Sequence, residues 1–420
     1  MSQLGDDCSK QLLQELSAIP DSPPTTPPSA QQSSPGGPGY PVFVVNATEA
    51  AHVSAAVKFG LEVHESFRPR CCNVKIEGGA VTLGAGMQMG EIYESLDAFN
   101  RTIVGGGAKT VSVGGYLTGG GHSLLSARYG LAADQVLEIE IVTPKGDILT
   151  LNECKNTDLF WAMRGGGGST FGIMTSVTIK TYPTPPLVSM TLLLATLDPG
   201  PYASSVTDVI AYFLSQFPSL GDAGLSGYVF MVAGYPNPFD GGNTTVGGVY
   251  GLLAVQDTQD PSALLSLVGP PLAHIAATWP GYLMVPNVTA YPSFWAWFKD
   301  YADNNPAGTD VFVGSRLLDE RALTADLDAS AAAYGQLLAG GGAGTAHLVS
   351  GKGVRDAQPR GGGDAVLPAW RRSYVHLTRS SPFPPLNVTA RAEALVKLDY
   401  YIDGLRKLAP ETGAYVNEVC

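Results

Sequence analysis

Two glycine-rich blocks constrain the fold of this chain more than any other feature. The first is Thr110-Val-Ser-Val-Gly-Gly-Tyr-Leu-Thr-Gly-Gly-Gly-His-Ser123, and the second is Asp158-Leu-Phe-Trp-Ala-Met-Arg-Gly-Gly-Gly-Gly-Ser-Thr-Phe-Gly-Ile173. Glycine is needed where the backbone takes a positive φ or approaches a ligand closely. Apolar residues such as Val113, Leu117 and Phe160 alternate with these glycines. The mixture indicates loops that belong to a packed domain and line a ligand site, rather than flexible linkers.

Three common motifs do not fit these blocks. Gly105-Gly-Gly-Ala-Lys-Thr110 superficially resembles a phosphate-binding P-loop, but Ala108 stands where that loop needs a glycine. No G-x-G-x-x-G lies between a predicted strand and a predicted helix, which disfavours a nicotinamide-dependent reductase. Ser169 lacks the G-x-S-x-G frame of a hydrolase nucleophile.

The composition predicts a globular protein with a large core. The chain has 420 residues, of which 45% are hydrophobic and 15% are charged, and this length favours two structural units. The formal net charge of −12 argues against nucleic acid as a partner, because there is no basic surface to displace counterions. Apolar runs fall far short of the roughly 18 residues of a membrane span. We therefore expect neither nucleic-acid nor membrane binding.

The cysteines and histidines show no metal-ligand spacing. The five cysteines include no CxxC pair, the adjacent Cys71 and Cys72 cannot bond to each other without strain, and the six histidines are scattered. We therefore predict no metal site. Five glycosylation sequons favour a secreted glycoprotein, although Met1–Cys8 lacks the apolar core of a signal peptide. The sequons begin at Asn46, Asn100, Asn243, Asn287 and Asn387.

Proline-rich points divide the chain. Residues 1–38 are rich in Pro, Ser and Gly and are predicted to be a disordered lead-in. A first unit over 39–183 ends at Pro183, and residues 184–408 form a second unit in which strands and helices alternate. The predicted strands are Leu187–Leu197, Ser226–Val232 and Val246–Val255, and the predicted helices include Ala263–Ala277, Phe294–Ala302, Thr324–Leu338 and Ala390–Leu408. This pattern indicates an α+β fold, with helices on one face of an antiparallel sheet.

The glycine blocks, with Tyr129-Gly-Leu-Ala-Ala-Asp-Gln-Val136 between them, resemble the flavin domain of the vanillyl-alcohol-oxidase and p-cresol-methylhydroxylase superfamily. They are most similar to the berberine-bridge-enzyme-like oxidases of fungi. The resemblance implies FAD as cofactor, a PCMH-type FAD-binding domain over 39–183, a substrate domain over 184–408 and a closing segment that starts at 409–420. It implies contacts with the flavin ring and the pyrophosphate at Gly114, Gly115, Gly119, Gly120 and Gly121. It also implies ribityl and pyrophosphate contacts at Gly130, Leu131, Ala133 and Asp134, and adenosine contacts at Gly172 and Ile173.

The same resemblance suggests two catalytic tyrosines. Tyr116 matches a position that faces the flavin, where its hydroxyl could stabilise the reduced ring, with capping of the loop as an equal alternative. Tyr415 and Asn417 match a Tyr-x-Asn motif whose tyrosine faces the substrate, so Tyr415 is the candidate proton acceptor. Its pKa, ordinarily near 10, would need to be lowered by the flavin environment. Candidate pocket residues in the second unit are Trp295, Trp297, Arg316, Trp370, Arg371 and Tyr374.

Three departures from the family pattern are expected to matter. Lys58-Phe-Gly-Leu-Glu-Val-His64 passes directly to the next family-like stretch, so a loop that holds the pyrophosphate and carries a flavin-linking histidine is expected to be missing. His64 does not match that loop and does not take its role. Ala108 replaces a second, cysteine anchor. The sequence ends at Asn417-Glu-Val-Cys420, where the family's closing segment begins, as in a gene model that has lost exons.

The resemblance implies a monomeric oxidase that passes hydride from an alcohol, sugar or related small molecule to the flavin. Dioxygen would then reoxidise the flavin and yield hydrogen peroxide. The alternative is an inactive, truncated remnant with weak or no FAD binding. Flavin absorbance of the purified protein distinguishes the two.

Overall fold

The computed structural model describes residues 62–70, 72, 75–168, 171–196, 205–236, 244–301 and 310–419. The predicted lead-in and the region around Phe59 lie outside these residues. The strands are β1 Glu62–Phe67, β2 Ile76–Gly84, β3 Arg101–Thr102, β4 Val136–Val142, β5 Ile148–Asn152, β6 Ile173–Lys180, β7 Tyr182–Pro183, β8 Leu187–Thr196, β9 Leu225–Pro236, β10 Thr245–Gln256, β11 Leu283–Tyr291, β12 Val311–Asp319, β13 Ala343–Leu348 and β14 Ser373–Pro382.

Helices connect and cover these strands. They are α1 Met89–Asp97, α2 Val113–Thr118, α3 Ser126–Tyr129, α4 Thr157–Ala162, α5 Val206–Ser215, α6 Phe217–Asp222, α7 Pro261–Thr278, α8 Phe294–Tyr301, α9 Glu320–Thr324, α10 Leu327–Leu337, α11 Lys352–Arg355 and α12 Val388–Leu408. Within the described ranges, none of the helices has the length and apolar character needed to cross a bilayer.

The first unit is built on a five-stranded antiparallel sheet in the order β1-β2-β6-β4-β5. Its inward side chains, such as Val81, Ile139 and Val177, are buried against Ile92 and Leu96 of α1. The glycine loop and α2 lie beside this core, because Val113 and Leu117 are buried in it. The sheet therefore supplies the rigid support for the loop.

The second unit is a seven-stranded antiparallel sheet in the order β11-β8-β10-β9-β13-β14-β12. Successive side chains of each strand lie on opposite faces of this sheet. Val229 and Met231 of β9 pack under helices α5, α10 and α12, whereas Tyr228 and Phe230 point to the opposite face. The predicted α+β class, with helices on one face of an antiparallel sheet, is confirmed.

Aromatic packing joins the second unit to the first. Phe298 of α8 lies 4.5 Å from the ring of Tyr93 in α1, and Phe294 lies 5.1 Å from it. Helix α8 therefore belongs to the first core although it follows the second sheet's β11. The boundary at 183/184 stays a prediction.

One disulfide ties the start of the described chain to the first sheet. Cys72 and Cys154 are bonded, with their Cα atoms 5.7 Å apart and a sequence separation of 82. Disulfides persist in oxidising compartments, which agrees with the predicted secretion, itself still a prediction. The sequence had left this pairing open.

Candidate active site

The glycine loop takes its shape from the residues beneath it. Gly120 and Gly121 follow α2 with φ of 114° and 73°, the region in which glycine is favoured. Tyr116 donates its hydroxyl hydrogen to the backbone oxygen of His122 at 2.8 Å. A Cβ atom on Gly121 would lie 2.7 Å from the Tyr116 ring. This contact is the one expected of a tyrosine that caps the loop.

A cavity of 930 Å³ lies between this loop and the large sheet. One wall is backbone and small side chains from Gly106, Gly107 and Ala108, and the facing wall is largely apolar. The apolar wall includes Leu193, Tyr228, Phe230, Tyr250, Leu252 and Trp297, and the rings of Phe230 and Tyr250 stack with centroids 5.0 Å apart. This volume is near the upper end for small-molecule sites.

Three histidines that are distant in sequence meet at the polar end of the cavity. His347 and His376 are direct partners across β13 and β14, and His122 follows the glycine loop. Their candidate ligand nitrogens all lie within 4.8 Å of one another. Glu418 Oε1 lies 3.2 Å from His122 Nε2, and its Oε2 lies 3.3 Å from His376 Nδ1. The cavity wall includes His122, His347 and Glu418, whereas His376 is fully buried behind them.

Burial largely determines the charges of this cluster. It lowers the pKa of His347 to about 4 and the pKa of His376 well below its ordinary value. Burial opposes ionisation of Glu418, but the attraction of His376 and His122 outweighs it and lowers the pKa of that carboxyl. His376 attracts the carboxylate only when protonated, which its own complete burial disfavours. We therefore assign neutral imidazoles at His347 and His376. The 3.2 Å contact with His122 is then the interaction that favours an ionised Glu418.

Tyr415 lies beside this cluster with its hydroxyl held in place. Asn417 Nδ2 donates to Tyr415 Oη at 2.7 Å and to the backbone oxygen of Gly115 at 3.1 Å. Burial, reinforced by the negative charge of Glu418, raises the pKa of Tyr415 above its ordinary value. The protein surroundings therefore favour a protonated phenol. The role of Tyr415 as a proton acceptor, which would need the flavin environment to lower its pKa, stays a prediction.

The predicted flavin-contacting glycines divide into two groups. A Cβ atom on Gly115 would meet no atom within 4 Å, and one on Gly120 would meet only Val366, at 3.5 Å. In contrast, a Cβ on Gly114 would lie 3.3 Å from the backbone oxygen of Ala85, and one on Gly119 would overlap the Asn417 side chain. The open space needed by a ligand therefore lies beside Gly115 and Gly120, while Gly114, Gly119 and Gly121 are needed for packing.

The predicted ribityl and pyrophosphate residues face the second unit. Leu131 and Ala133 are fully buried in a small core that includes Trp370 and Tyr415. Asp134 accepts two hydrogen bonds of 2.8 Å from Arg371. The turn at Gly130 has a φ of 95°. The side chains of these residues pack the first unit against residues 349–371. Only their backbone atoms therefore remain for contact with a cofactor.

The predicted adenosine residues lie at the start of β6. A Cβ atom on Gly172 would lie 2.9 Å from the backbone oxygen of Val142, so this glycine allows close strand packing. Ile173 is 73% exposed. Neither residue is part of the cavity wall.

Among the six predicted pocket residues, only Trp297 is part of the described cavity wall. Trp370 is buried, and Trp295 packs against the first core. The polar three have protein partners: Arg316 donates to the Ala409 oxygen, Arg371 to Asp134, and Tyr374 to Asp222. The cavity residues that the sequence analysis missed are Tyr228, Phe230, His122, His347 and Glu418.

The residues present fit the flavin end of FAD. Its flat ring needs a slot beside backbone without side chains. Gly106 and Gly107 give the cavity such a wall, and a Cβ atom on Gly107 would meet no atom closer than 3.7 Å. Glycine backbone also permits the N–H contacts that an acidic protein would use for phosphate groups.

Comparisons with known proteins agree with this geometry. The family described as an FAD binding domain matches residues 69–152. An uncharacterized FAD-linked oxidoreductase of Arthroderma benhamiae is 34% identical over 363 residues, which are 81% of this chain and 58% of that protein. The bifunctional decalin synthase calF of Penicillium decumbens is 31% identical over 351 residues, 81% of this chain and 58% of that protein. A VAO-type flavoprotein of Myceliophthora thermophila superposes with a TM-score of 0.77 at 27% identity, covering 86% of this chain and 64% of that one.

Fold, glycine loop, cavity and the matched FAD binding domain together identify FAD as the cofactor of this chain. Over 81–86% of its length the chain is similar to FAD-linked oxidoreductases and to a VAO-type flavoprotein. It spans less than two thirds of the length of the curated relatives reported above.

We expect FAD bound to this chain to be released by acid precipitation. Ala108, which lines the cavity, has no thiol to bond the flavin. His64 lies on β1 with its Nε2 3.0 Å from Thr82 Oγ1, and it is not part of the described cavity wall. Absorbance of pellet and supernatant measures the result. A yellow pellet would contradict the prediction, and peptide mapping would then show whether His122 or His347 carries the flavin.

Proposed function

We propose that this chain catalyses oxidation of an alcohol carbon in a bulky, largely apolar small molecule. The substrate loses a hydride from carbon and a proton from its hydroxyl, and becomes a carbonyl compound. FAD, when bound, supplies the two-electron acceptor, and dioxygen then takes both electrons and two protons to give hydrogen peroxide. The observation that carries the proposal is the single cavity that has glycine backbone on one side and His122, Tyr415 and Glu418 at its end.

Two side chains have complementary proton roles at this end. Tyr415 stays protonated because burial raises its pKa, so its hydroxyl donates to the substrate oxygen. His122 is the proton acceptor. Its Nε2 faces the Glu418 carboxylate at 3.2 Å, and a carboxylate only accepts, so the ring hydrogen resides on Nε2. The Nδ1 lone pair is buried and has no hydrogen-bond partner among the described residues. Glu418 thereby orients His122.

The cavity wall favours an apolar or aromatic substrate over an oligosaccharide. Tyr228, Phe230, Leu252 and Trp297 present mainly ring and aliphatic surface, and the polar groups are concentrated at the His122 end. A sugar would bury hydroxyls against this wall without partners, which costs free energy for each group. One relative is named a bifunctional decalin synthase, and decalin is an apolar bicyclic skeleton, which supports an apolar substrate class here.

We expect the His122→Gln variant to reduce its flavin about 10²- to 10⁴-fold more slowly than wild type, which is the usual contribution of a general base. Tyr415→Phe should slow reduction less, because it removes one hydrogen bond. Tyr250→Phe is the matched control, since it makes the same change of side chain on the apolar wall. Stopped-flow flavin absorbance and peroxide release are measured over bulky apolar alcohols and oligosaccharides.

Two outcomes would contradict this proposal. If oligosaccharides reduce the flavin faster than apolar alcohols, the substrate class is wrong. If the purified chain is colourless and cannot be reconstituted with FAD, the inactive remnant is the better description.

A further inference from the structure

We propose that His122, His347, His376 and Glu418 form a binding site for a divalent transition-metal ion, with Zn²⁺ as its occupant. The site adds a ligand to the oxidase function and does not depend on it. Three imidazoles and one carboxylate are a donor set that zinc binds in proteins.

The first argument is that the cluster has too few hydrogen-bond partners. Both ring nitrogens of His376, Nδ1 of His347 and Nδ1 of His122 are buried without a partner among the described residues. The 3.3 Å separation of His376 Nδ1 and Glu418 Oε2 lacks hydrogen-bond alignment. An unsatisfied buried polar atom costs about 1–3 kcal/mol. A single cation could use a lone pair from each ring.

Packing of the rings does not remove this cost. The ring centroids of His122, His347 and His376 lie 5.1–5.5 Å apart, and Trp370 and Tyr415 surround them. Such contacts satisfy the ring faces and edges but give no partner to the nitrogens. Ordered water is the other candidate partner, and the experiment below distinguishes it from a metal.

The second argument is geometric. Zinc–nitrogen bonds of about 2.0–2.1 Å in a tetrahedral site place the ligand nitrogens roughly 3.3 Å apart. The histidine nitrogens lie within 4.8 Å of one another, so each needs to move inward by about 1 Å or less. Because β13 and β14 fix His347 and His376 as direct partners, small side-chain rotations suffice.

The third argument is charge. Glu418 brings an anion to neutral imidazoles, and the whole chain carries a net charge of −12, so a divalent cation is favoured there. His122, His347 and Glu418 border the cavity, which leaves a path for the ion and room for a water ligand. Another group of potential ligands, Cys72, Glu153 and Cys154, does not compete, because its two cysteines form the disulfide.

A metal and a substrate proton would compete for the same lone pair of His122. The metal-loaded protein would therefore lose its proton acceptor. This consequence rests on the proposed function, but the binding site itself does not.

The experiment is equilibrium dialysis of the 420-residue chain against Zn²⁺, with bound metal measured by plasma mass spectrometry. We expect wild type to retain zinc in a 1:1 complex, and Co²⁺ in its place to give the intense visible absorption of a low-coordinate site. His347→Gln and Glu418→Gln should each weaken retention at least 10- to 100-fold. The control is His274→Gln, because His274 is exposed on α7, where it contacts Tyr212, Trp279 and Thr278 and none of the cluster residues.

The Co²⁺ spectrum of wild type alone can overturn the proposal, so it stays testable even if a variant fails to fold. No retained Zn²⁺ and no Co²⁺ band would show that water satisfies the cluster. Equal retention in wild type, His347→Gln and Glu418→Gln would also overturn it, since the metal would then bind elsewhere.

Discussion

The Gly121→Val variant is expected to lose FAD binding and to lower the free energy of unfolding by about 2–5 kcal/mol. Two effects add at this position. The φ of 73° is unfavourable for a β-branched residue, and a Cβ atom would lie 2.7 Å from the Tyr116 ring and 2.9 Å from the Ala132 side chain. To avoid these clashes, either the loop or Tyr116 must move. Tyr116 donates its hydroxyl hydrogen to the backbone oxygen of His122, so either movement disturbs the loop.

The matched control is Gly146→Val in the turn between β4 and β5. Gly146 also has a positive φ, of 87°, but a Cβ there would meet no atom within 4 Å. This variant should lose only the backbone term, roughly 1–2 kcal/mol, and keep FAD. Denaturant unfolding and flavin absorbance measure both variants. Equal losses in the two would show that the packing of Gly121 against Tyr116 is not what shapes the loop.

The loop and its cofactor could be predicted from sequence because their information is local. Glycine at Gly120 and Gly121 indicates that the backbone takes a positive φ there, whatever residues surround the loop. Tyr415 was likewise placed at the cavity by its short motif. The protein's own effect on the pKa of Tyr415 could not be predicted, because burial and the position of Glu418 depend on the tertiary fold.

The histidine cluster could not be predicted, because it depends on strand register. His347 and His376 are 29 positions apart in sequence but directly opposed across β13 and β14, and a shift of one residue would turn one of them to the helix-covered face. The sequence analysis assigned neither strand. Strand β13 follows a glycine run and contains Gly344, and such a pattern predicts a turn. The only local signals were His122 inside the first glycine block and Glu418 directly after the Tyr-x-Asn motif.

The second large effect is expected at Arg371, which lies between two buried carboxylates. It donates to Asp134 at 2.8 Å and to Asp364 at 2.9 Å, and each aspartate side chain is only 3% exposed. The Arg371→Met variant keeps much of the side-chain volume but leaves both carboxylates without their cation. Removal of one partner of a buried ion pair typically costs about 3–5 kcal/mol, so we expect a loss of this size at pH 8. Arg372→Met, at the neighbouring exposed position, is the control and should change stability little.

The stability lost in the Arg371→Met variant should be smaller in acid, because protonation of Asp364 removes one of the two negative charges that Arg371 neutralises. Burial, together with the nearby Asp134, raises the pKa of Asp364 to about 6 even with Arg371 present. The folded state therefore binds more protons than the unfolded state between about pH 4 and pH 6, so stability from this group falls as pH rises through that window, by roughly 1–3 kcal/mol.

Without Arg371 the pKa of the Asp364 carboxyl rises further, because a stabilising cation is gone. Arg371→Met should then lose less stability relative to wild type at pH 5 than at pH 8, and Asp364→Asn should remove most of the difference. Denaturant unfolding at the two pH values measures it. A penalty that is the same at both would mean that Arg371 acts through packing and its hydrogen bond to the Val354 carbonyl, and not by holding two carboxylates together.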